Sequence, residues 1–415
     1  MNTNRNGIQE KTVVLINGAM YLPGEGGYKR TMYLFDMLRK QGHSPILLTS
    51  DFNHYKKSIR NIADFRKKYP EYSDIEFIHM RPYEKNQSVK RLMAERDWTR
   101  GVIKWVKENA NHIDVVMVSM PDINTINGIR DICKCNNIEI VVDVRDLRPE
   151  ALKVVFKNEI IYKVATYKMK KDADKAYASA DKLFAVSEEY LARGTVKGSH
   201  AIVRKAIYIG ATLERFDNGV KKYAEEINKP ENELWITYAG TLGASYDMIT
   251  TIDAVAEMEE KYFNGKKLRL MILGQGPDQD AFEAHVKEIG ANNITFVGFV
   301  DYEKMAAYLS KSDITINAVK KRGSQSIINK VADYFAAGIP MLNGCSCKEQ
   351  QIMVDHYAVG ANYEAENVDS LVSAIDTLLR DPEKCHQYGR NARKLAEEKF
   401  DRERTYREII DALYN

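Results

Sequence analysis

The chain has 415 residues, of which 44% are hydrophobic and 29% charged. That length exceeds one ordinary core and points to two domains of roughly 150 to 200 residues each, while the composition excludes a disordered or fibrous chain. Lys plus Arg number 61 and Asp plus Glu 58, a net charge of +3; so weak a global field excludes nucleic acid as the expected partner and requires any anion site to be local.

The segment before Gly18 holds only a short apolar run, and nowhere are there about 18 consecutive apolar residues. The expectation is a chain that is neither secreted nor membrane-spanning. Five cysteines, an odd number, suggest a reducing cytoplasmic setting. Cys133 with Cys135, and Cys345 with Cys347, are spaced too tightly for zinc knuckles and lack a nearby histidine, so no metal is expected.

Residues 12–17 (TVVLIN) are a continuous aliphatic and β-branched run, as in a strand buried on both faces of a parallel sheet. The loop 23–27 (PGEGG) follows, then Tyr28, Met32, Phe35 and Leu38 at helical spacing, with Gly42 as the cap. Buried strands are predicted over 45–49, 115–118, 138–142, 183–186 and 206–209, most of them separated by helical patterns. The charged stretch 217–233, broken by Pro230, reads as an inter-domain linker. Strands at 234–239, 268–273, 294–297, 314–318 and 340–342 then repeat the alternation. Residues 368–413 read as helical throughout, with Leu371, Ile375 and Leu378 on one face.

Strands alternating with helices imply right-handed βαβ units. The expected class is α/β, with two Rossmann-like doubly wound parallel-sheet domains, 1–216 and 217–399, facing across a cleft. A final helix, about 400–415, can pack back on the first domain. Open α/β sheets bind ligands outside the carboxyl ends of their strands, so the candidate residues lie in those loops.

Gly26 and Gly27 sit where a backbone must approach something closely, although a tight turn explains them as readily. The loop does not fit the dinucleotide fingerprint, despite Asp51 lying near the expected acid position. Thr241 and Gly243, in the small-residue turn YAGTLG, can offer N–H groups to a diphosphate. Gly274 and Gln275 in one later loop, and Phe299 and Val300 in the next, can face a planar base. In SQSIINKVADYFAAGIP, a helix from Ser326 would place Ser326, Lys330 and Asp333 on one face, though spacing alone favours an ordinary surface Lys330–Asp333 ion pair. Arg145 and Asp146 follow a strand and are candidates for acceptor activation, or else a pair that fixes a loop.

In this order, GGYKRTMYLFDMLRKQGHSPILLTS, DVRDLRPEAL, ADKLFAVSEEY, ITYAGTLG, LRLMILGQGP, NNITFVGFV and INKVADYFAAGIPML resemble the retaining, two-Rossmann-domain (GT-B) glycosyltransferases of the group-1 type, also called family four. The similarity spans nearly the whole chain. DVRDLRPEAL with NKVADYFAAGIPM is most similar to the branch that assembles bacterial surface polysaccharides. The resemblance implies transfer of a sugar, with retention, from a nucleotide-diphosphate donor to an acceptor hydroxyl. It favours a UDP-sugar, a saccharide acceptor that in this branch is often lipid-linked, and no metal or cofactor.

By the same resemblance Asp333 stands at the second glutamate of a Glu-x7-Glu motif, which holds the donor ribose, and Gln325 stands at the first. The basic pair usual after the Gly243-type loop is replaced by Ala244-Ser245-Tyr246-Asp247, so Lys330, Arg145 or Arg322 must neutralise the diphosphate. The implied catalytic set is Asp146, Arg145, Lys330 and Gln325, and the implied donor set also takes in Ser326 and Ile328. A hinge is expected at 210–232.

Lys56, Lys57, Arg60, Arg66, Lys67 and Lys68, and later Lys153, Lys157, Lys163, Lys168, Lys170 and Lys171 with apolar residues between them, suit docking on anionic lipid at the inner membrane face, or else a solvated helix face. Competing readings are a nucleotide-sugar epimerase and a non-catalytic nucleotide-sugar-binding subunit.

Overall fold

The computed structural model describes residues 11–27, 30–86, 88–156, 158–321 and 327–414. Contacts divide the chain into two compact units, Met1–Ile207 with Tyr406–Asn415, and Tyr208–Thr405.

The first unit carries a seven-stranded parallel sheet: β1 (Val13–Ile16), β2 (Ile46–Ser50), β3 (Ile75–Ile78), β4 (Val115–Met120), β5 (Glu139–Val144), β6 (Lys182–Ala185) and β7 (Val203–Ala206), in the order β3-β2-β1-β4-β5-β6-β7. Strand β1 shows why both faces are covered. Val14 and Ile16 pack with Trp98, Val102 and Ile126 on one side, and Val13 and Leu15 pack with Phe35, Leu38 and Ile410 on the other. Alternate side chains of one strand thus feed two helix layers, the arrangement that makes a parallel strand apolar throughout.

The second unit repeats the plan with β8 (Glu233–Ala239), β9 (Lys266–Leu273), β10 (Ile294–Gly298), β11 (Ile314–Asn317), β12 (Met341–Asn343) and β13 (Gly360–Asn362), in the order β10-β9-β8-β11-β12-β13. A short strand, Tyr262–Phe263, pairs antiparallel with the start of β9. Strand order reverses between β1 and β4 in one sheet and between β8 and β11 in the other. These are the switch points at which doubly wound sheets open a ligand crevice.

Three features differ from the sequence reading. The charged stretch 217–233 is no linker. It continues a helix, Leu213–Tyr223, whose Leu213 and Phe216 are buried among residues of the second unit, so charges between helically spaced apolar positions mask the pattern. The chain instead passes between units after Ile207 and returns at Tyr406. Strand β7 lies at 203–206 and not 206–209, because this edge strand carries the exposed Arg204 and Lys205 while the apolar Ile207 begins the exit. The C-terminal region breaks into helices Val368–Leu379, Pro382–Leu395 and Arg402–Tyr414, with Pro382 opening the second at its first position.

A buried ion pair holds the first unit. Arg30, fully enclosed, forks onto Asp143 of β5 with Nε and Nη2 at 3.1 and 3.0 Å, and donates Nη1 to the Ile207 carbonyl at 3.1 Å and the Tyr406 hydroxyl at 3.0 Å. One side chain therefore joins helix Arg30–Lys40, the central sheet, the exit of β7 and the returning C-terminal helix. Breaking one partner of such a pair strands a buried charge, so Arg30→Met should lower unfolding stability by about 3–5 kcal/mol, whereas Arg30→Met with Asp143→Leu should lose clearly less. Denaturant midpoints decide this; a single variant as stable as the parent would contradict it.

Candidate active site

At the β8–β11 switch point three loops lace together. The Gly240 N–H donates to Leu273 at 2.9 Å, the Leu242 N–H to Gln275 at 3.0 Å and the Gly274 N–H to Gly298 at 2.8 Å. A Cβ on residue 274 would stand 1.9 Å from the Gly240 oxygen, so Gly274 is required for this internal approach. Thr241, exposed, and Gly243, buried, lie in the same turn, while Gln275 and Phe299 are exposed at the tips of the next two loops and Val300 is half-buried.

The helix after β11 runs Lys330–Ala336, a turn later than the sequence suggested, with Asn329 rather than Ser326 at its start. Ser326, Gln325 and Arg322 lie outside the described residues, and Ile328 precedes the helix, its carbonyl accepting the Val331 N–H. The helix is pinned to β8 by Tyr334, whose hydroxyl accepts the Ala239 N–H at 2.9 Å and donates to the Ala239 oxygen at 3.2 Å. This tether sets Lys330 over the glycine turn.

The Lys330 Nζ lies 3.9 Å from the Tyr238 ring centre and 4.0 Å from that of Tyr246. A Cβ on residue 240 would come within 2.5 Å of it, so Gly240 makes room for the amine. The Nζ is buried and has no hydrogen-bond partner among the described residues, and burial holds its pKa well below the usual lysine range. An amine between two π faces and beside a backbone turn can receive an anion at little rearrangement cost.

Lys330 and Asp333 do not form the ion pair that their spacing allows. Asp333 turns away and accepts the Tyr302 hydroxyl at 2.7 Å, while Arg215 lies 4.6 Å over the Tyr302 ring. Burial pushes the Asp333 carboxyl up to about 6, against the smaller opposing effect of the Tyr302 bond. The Tyr238–Tyr246 cage, the Tyr334 tether and the Tyr302 bond are all missed by sequence reasoning, because Tyr238, Tyr302 and Tyr334 lie in strands and helices where aromatics read as core and Tyr246 lies in a turn whose path no local pattern gives.

In the first unit, Gly27 has φ 95° and a Cβ there would strike the Tyr21 ring at 2.2 Å, whereas Gly26 faces open space. The turn explanation thus holds for Gly27. Tyr28 lies outside the described residues, and the following helix is Arg30–Lys40. Asp51 is occupied internally, accepting the Met80 N–H at 2.9 Å and meeting His79 at 2.7 Å. Arg145 and Asp146 do not pair. Arg145 donates to the Thr31 hydroxyl at 3.0 Å, and Asp146 accepts the Leu147 N–H at 2.9 Å with its carboxyl pushed up by burial. Arg148 and Glu150 bind Glu95 and Arg193 instead. Among the described residues no group of three or more His, Cys, Asp or Glu is placed to hold a metal ion.

The raised Asp333 pKa has a consequence for stability. Between about 4 and 6 the folded chain binds a proton that the unfolded chain has released, so this carboxyl lowers stability as pH rises through that window. Asp333→Asn should remove that loss, raising the thermal midpoint at pH 7.5 but not at pH 4. An equal shift at both pH values would contradict the assignment.

Comparison with known proteins adds to this geometry. Residues 220–395 match the family model described as "Glycosyl transferases group 1". A protein of Escherichia coli (strain K12) provisionally described as the colanic acid biosynthesis glycosyl transferase WcaI is 24% identical over 199 residues, 47% of this chain and 46% of that protein. The uncharacterized glycosyltransferase MJ1069 of Methanocaldococcus jannaschii is 24% identical over 213 residues, 50% of this chain and 53% of that protein. The chain thus spans about half the length of the curated relatives it matches.

Among solved structures, Anabaena HepE in complex with UDP aligns with a TM-score of 0.67 at 14% identity, covering 97% of this chain and 99% of that one. WaaG, a glycosyltransferase involved in lipopolysaccharide biosynthesis, aligns at 0.63 and 15%, with 97% and 99% covered. These likenesses are of fold. The resemblance carried by the motifs is thus matched over residues 220–395 by the group-1 glycosyltransferase model, and the fold is that of the two-Rossmann (GT-B) structures.

Proposed function

We propose that the protein transfers a sugar from a nucleoside-diphosphate donor, UDP-linked in the first instance, to a saccharide hydroxyl in surface-polysaccharide or glycoconjugate assembly. The observation that carries this reading is the Lys330 amine, caged by Tyr238 and Tyr246 over the glycine turn at the switch point and lacking a carboxylate partner among the described residues. Support comes from HepE, solved with UDP and with UDP-glucose, and from the names of WcaI and WaaG.

In the proposed reaction the bond between the sugar C1 and the β-phosphate oxygen breaks, and its electron pair leaves with the UDP. The acceptor oxygen forms the new bond to C1 and releases its proton. Charge grows on the β-phosphate in the transition state, where the Lys330 ammonium and the N–H groups of Thr241 and Gly243 stabilise it. This scheme uses no metal or cofactor. Asp333, one methylene shorter than the glutamate it replaces, takes a ribose hydroxyl while Tyr302 steadies its other side. Gln275, Phe299 and Val300 border the base. Asp146 and Arg145 belong to the acceptor side, Asp146 receiving the proton, and the sugar is transferred with retention.

Membrane contact is part of the same reading. No helix among the described residues is long and apolar enough to cross a membrane. Helix Glu159–Ala178, however, exposes Ile160, Ile161, Val164 and Tyr167 on its outer face beside Lys163, Lys168 and Lys171. An apolar stripe edged by lysines suits a peripheral position on anionic lipid. The protein should co-sediment with vesicles containing phosphatidylglycerol at low salt and less at raised salt; failure to sediment in both conditions would contradict this.

Incubation with a panel of nucleotide sugars and lipid-linked acceptors should yield a glycosylated product with the donor's anomeric configuration. Lys330→Ala should lower kcat by about 100-fold, the scale of removing one preorganised charge-stabilising group, with the circular dichroism spectrum unchanged. Donor binding with neither transfer nor slow hydrolysis would identify a binding protein, and unchanged turnover in Lys330→Ala would remove its role.

A further inference from the structure

We infer that the carboxyl edge of the first sheet holds an anion subsite built from Lys57, Arg91 and Arg148, which takes a phosphate or diphosphate group carried by the acceptor. The inference rests on the acceptor role proposed for this unit. The three cations come from separate places in the sequence. Lys57 follows β2, Arg91 lies in the first turn of helix Val89–Asn109 after β3, and Arg148 follows β5. In a parallel sheet such segments share one edge.

Their pairing leaves positive charge in excess. Arg91 Nε meets Glu95 at 2.9 Å and Arg148 Nη1 meets the same carboxylate at 3.3 Å, so two guanidinium groups share one acid. Arg91, Arg148 and Glu95 are each about one-quarter exposed, which weakens solvent screening without closing the site. Among the described residues the Lys57 ammonium finds only neutral partners, the Asn86 side-chain oxygen and the Tyr83 ring face at 4.7 Å. Lys57 is also held at φ 56°, a left-handed conformation that costs a lysine energy and is retained where something else benefits.

The surrounding groups do not cancel the excess. His54, bonded to the Tyr83 hydroxyl, is pushed down to about 4 by burial and then by Lys57 and Arg91, and so stays neutral. The nearby carboxyls of Asp146 and Asp122 are both pushed up by burial, which lessens the negative charge they supply. Asp122 is already held by the Trp98 Nε1–H at 2.6 Å. A neutral sugar gives two half-buried guanidinium groups and an ammonium nothing to bind, whereas phosphate oxygens match their donor geometry. Asp146 feels the charge of both Arg91 and Arg148, which places this subsite beside the proposed proton acceptor. Val89, Leu92 and Met93, exposed around Arg91, would suit a phosphate carried on a lipid.

Calorimetric titration of inorganic pyrophosphate into the full-length protein already saturated with UDP tests the subsite apart from the donor site. Saturable, salt-sensitive binding is expected, weakened about ten-fold by Lys57→Gly or Arg91→Gln, as for loss of one charge-assisted contact. Glu95→Gln should tighten it by removing the competing carboxylate, a gain that a merely structural role would not give. Lys57→Gly also relieves the backbone, so its fold should survive. Farnesyl diphosphate and glucose 1-phosphate then distinguish lipid-borne from soluble phosphate, and tighter binding of either than of methyl glucoside supports the subsite. Absence of pyrophosphate binding beyond displacement of UDP, or affinities unchanged in all three variants, would overturn the inference. Failure of UDP itself to bind, with pyrophosphate still bound, would instead count against the transferase reading.

Discussion

The placement of one amine organises the second unit. Lys330 has no carboxylate partner among the described residues, yet it is held within 4.0 Å of two ring centres, above a turn in which Gly240 leaves space for it. Burial disfavours the charged form of this amine and the π faces offset only part of that cost, so the site lacks the counter-charge that would hold a proton on it. Much of the local architecture maintains this. Tyr334 clamps the short helix to β8, and the loops after β8, β9 and β10 bond to each other and form a rigid floor.

The opposite solution appears in the first unit, where charge is satisfied as fully as geometry allows. Arg30 spends its donors on Asp143, Ile207 and Tyr406 and lies over the Tyr406 ring. The contrast separates two uses of buried charge. A saturated pair specifies how four segments meet, whereas an unpaired buried amine gains its charge and its partner together when an anion arrives. Arg91 and Arg148, which share Glu95, lie between these limits, more exposed than Arg30 and less fully paired.

Much of the fold is legible in the sequence because parallel strands buried on both faces leave unbroken aliphatic runs. TVVLIN, IVVDV and LRLMIL need no context to be read as strands. Besides two-residue strands, β3 and β13 escape that reading for physical reasons: β3 (IEFI) is a partly exposed edge strand carrying a glutamate, and β13 (GAN) has no apolar run at all. The latter is held by its pairing with β12 and by a side-chain ladder, Asn317 to Asn343 at 2.9 Å and Asn343 to Asn362 at 2.8 Å, which no local pattern announces. Loop glycines were legible as positions of close approach, but Gly27 and Gly274 make that approach to the protein itself. Lys330 could be nominated from helical spacing, whereas its aromatic cage could not, since Tyr238 and Tyr246 come together only when the turn after β8 folds back. Asp333 was placed on the same face as Lys330, yet its short side chain reaches Tyr302 instead.

The central claim is that the caged Lys330 amine waits for the departing diphosphate of a nucleotide sugar. A crystal structure of the protein with UDP tests it most directly. The account predicts a β-phosphate oxygen within hydrogen-bonding distance of the Lys330 Nζ and over the Thr241–Gly243 turn. A nucleotide bound elsewhere, or one bound there with Lys330 still enclosed by its tyrosines and out of reach of either phosphate, would contradict it.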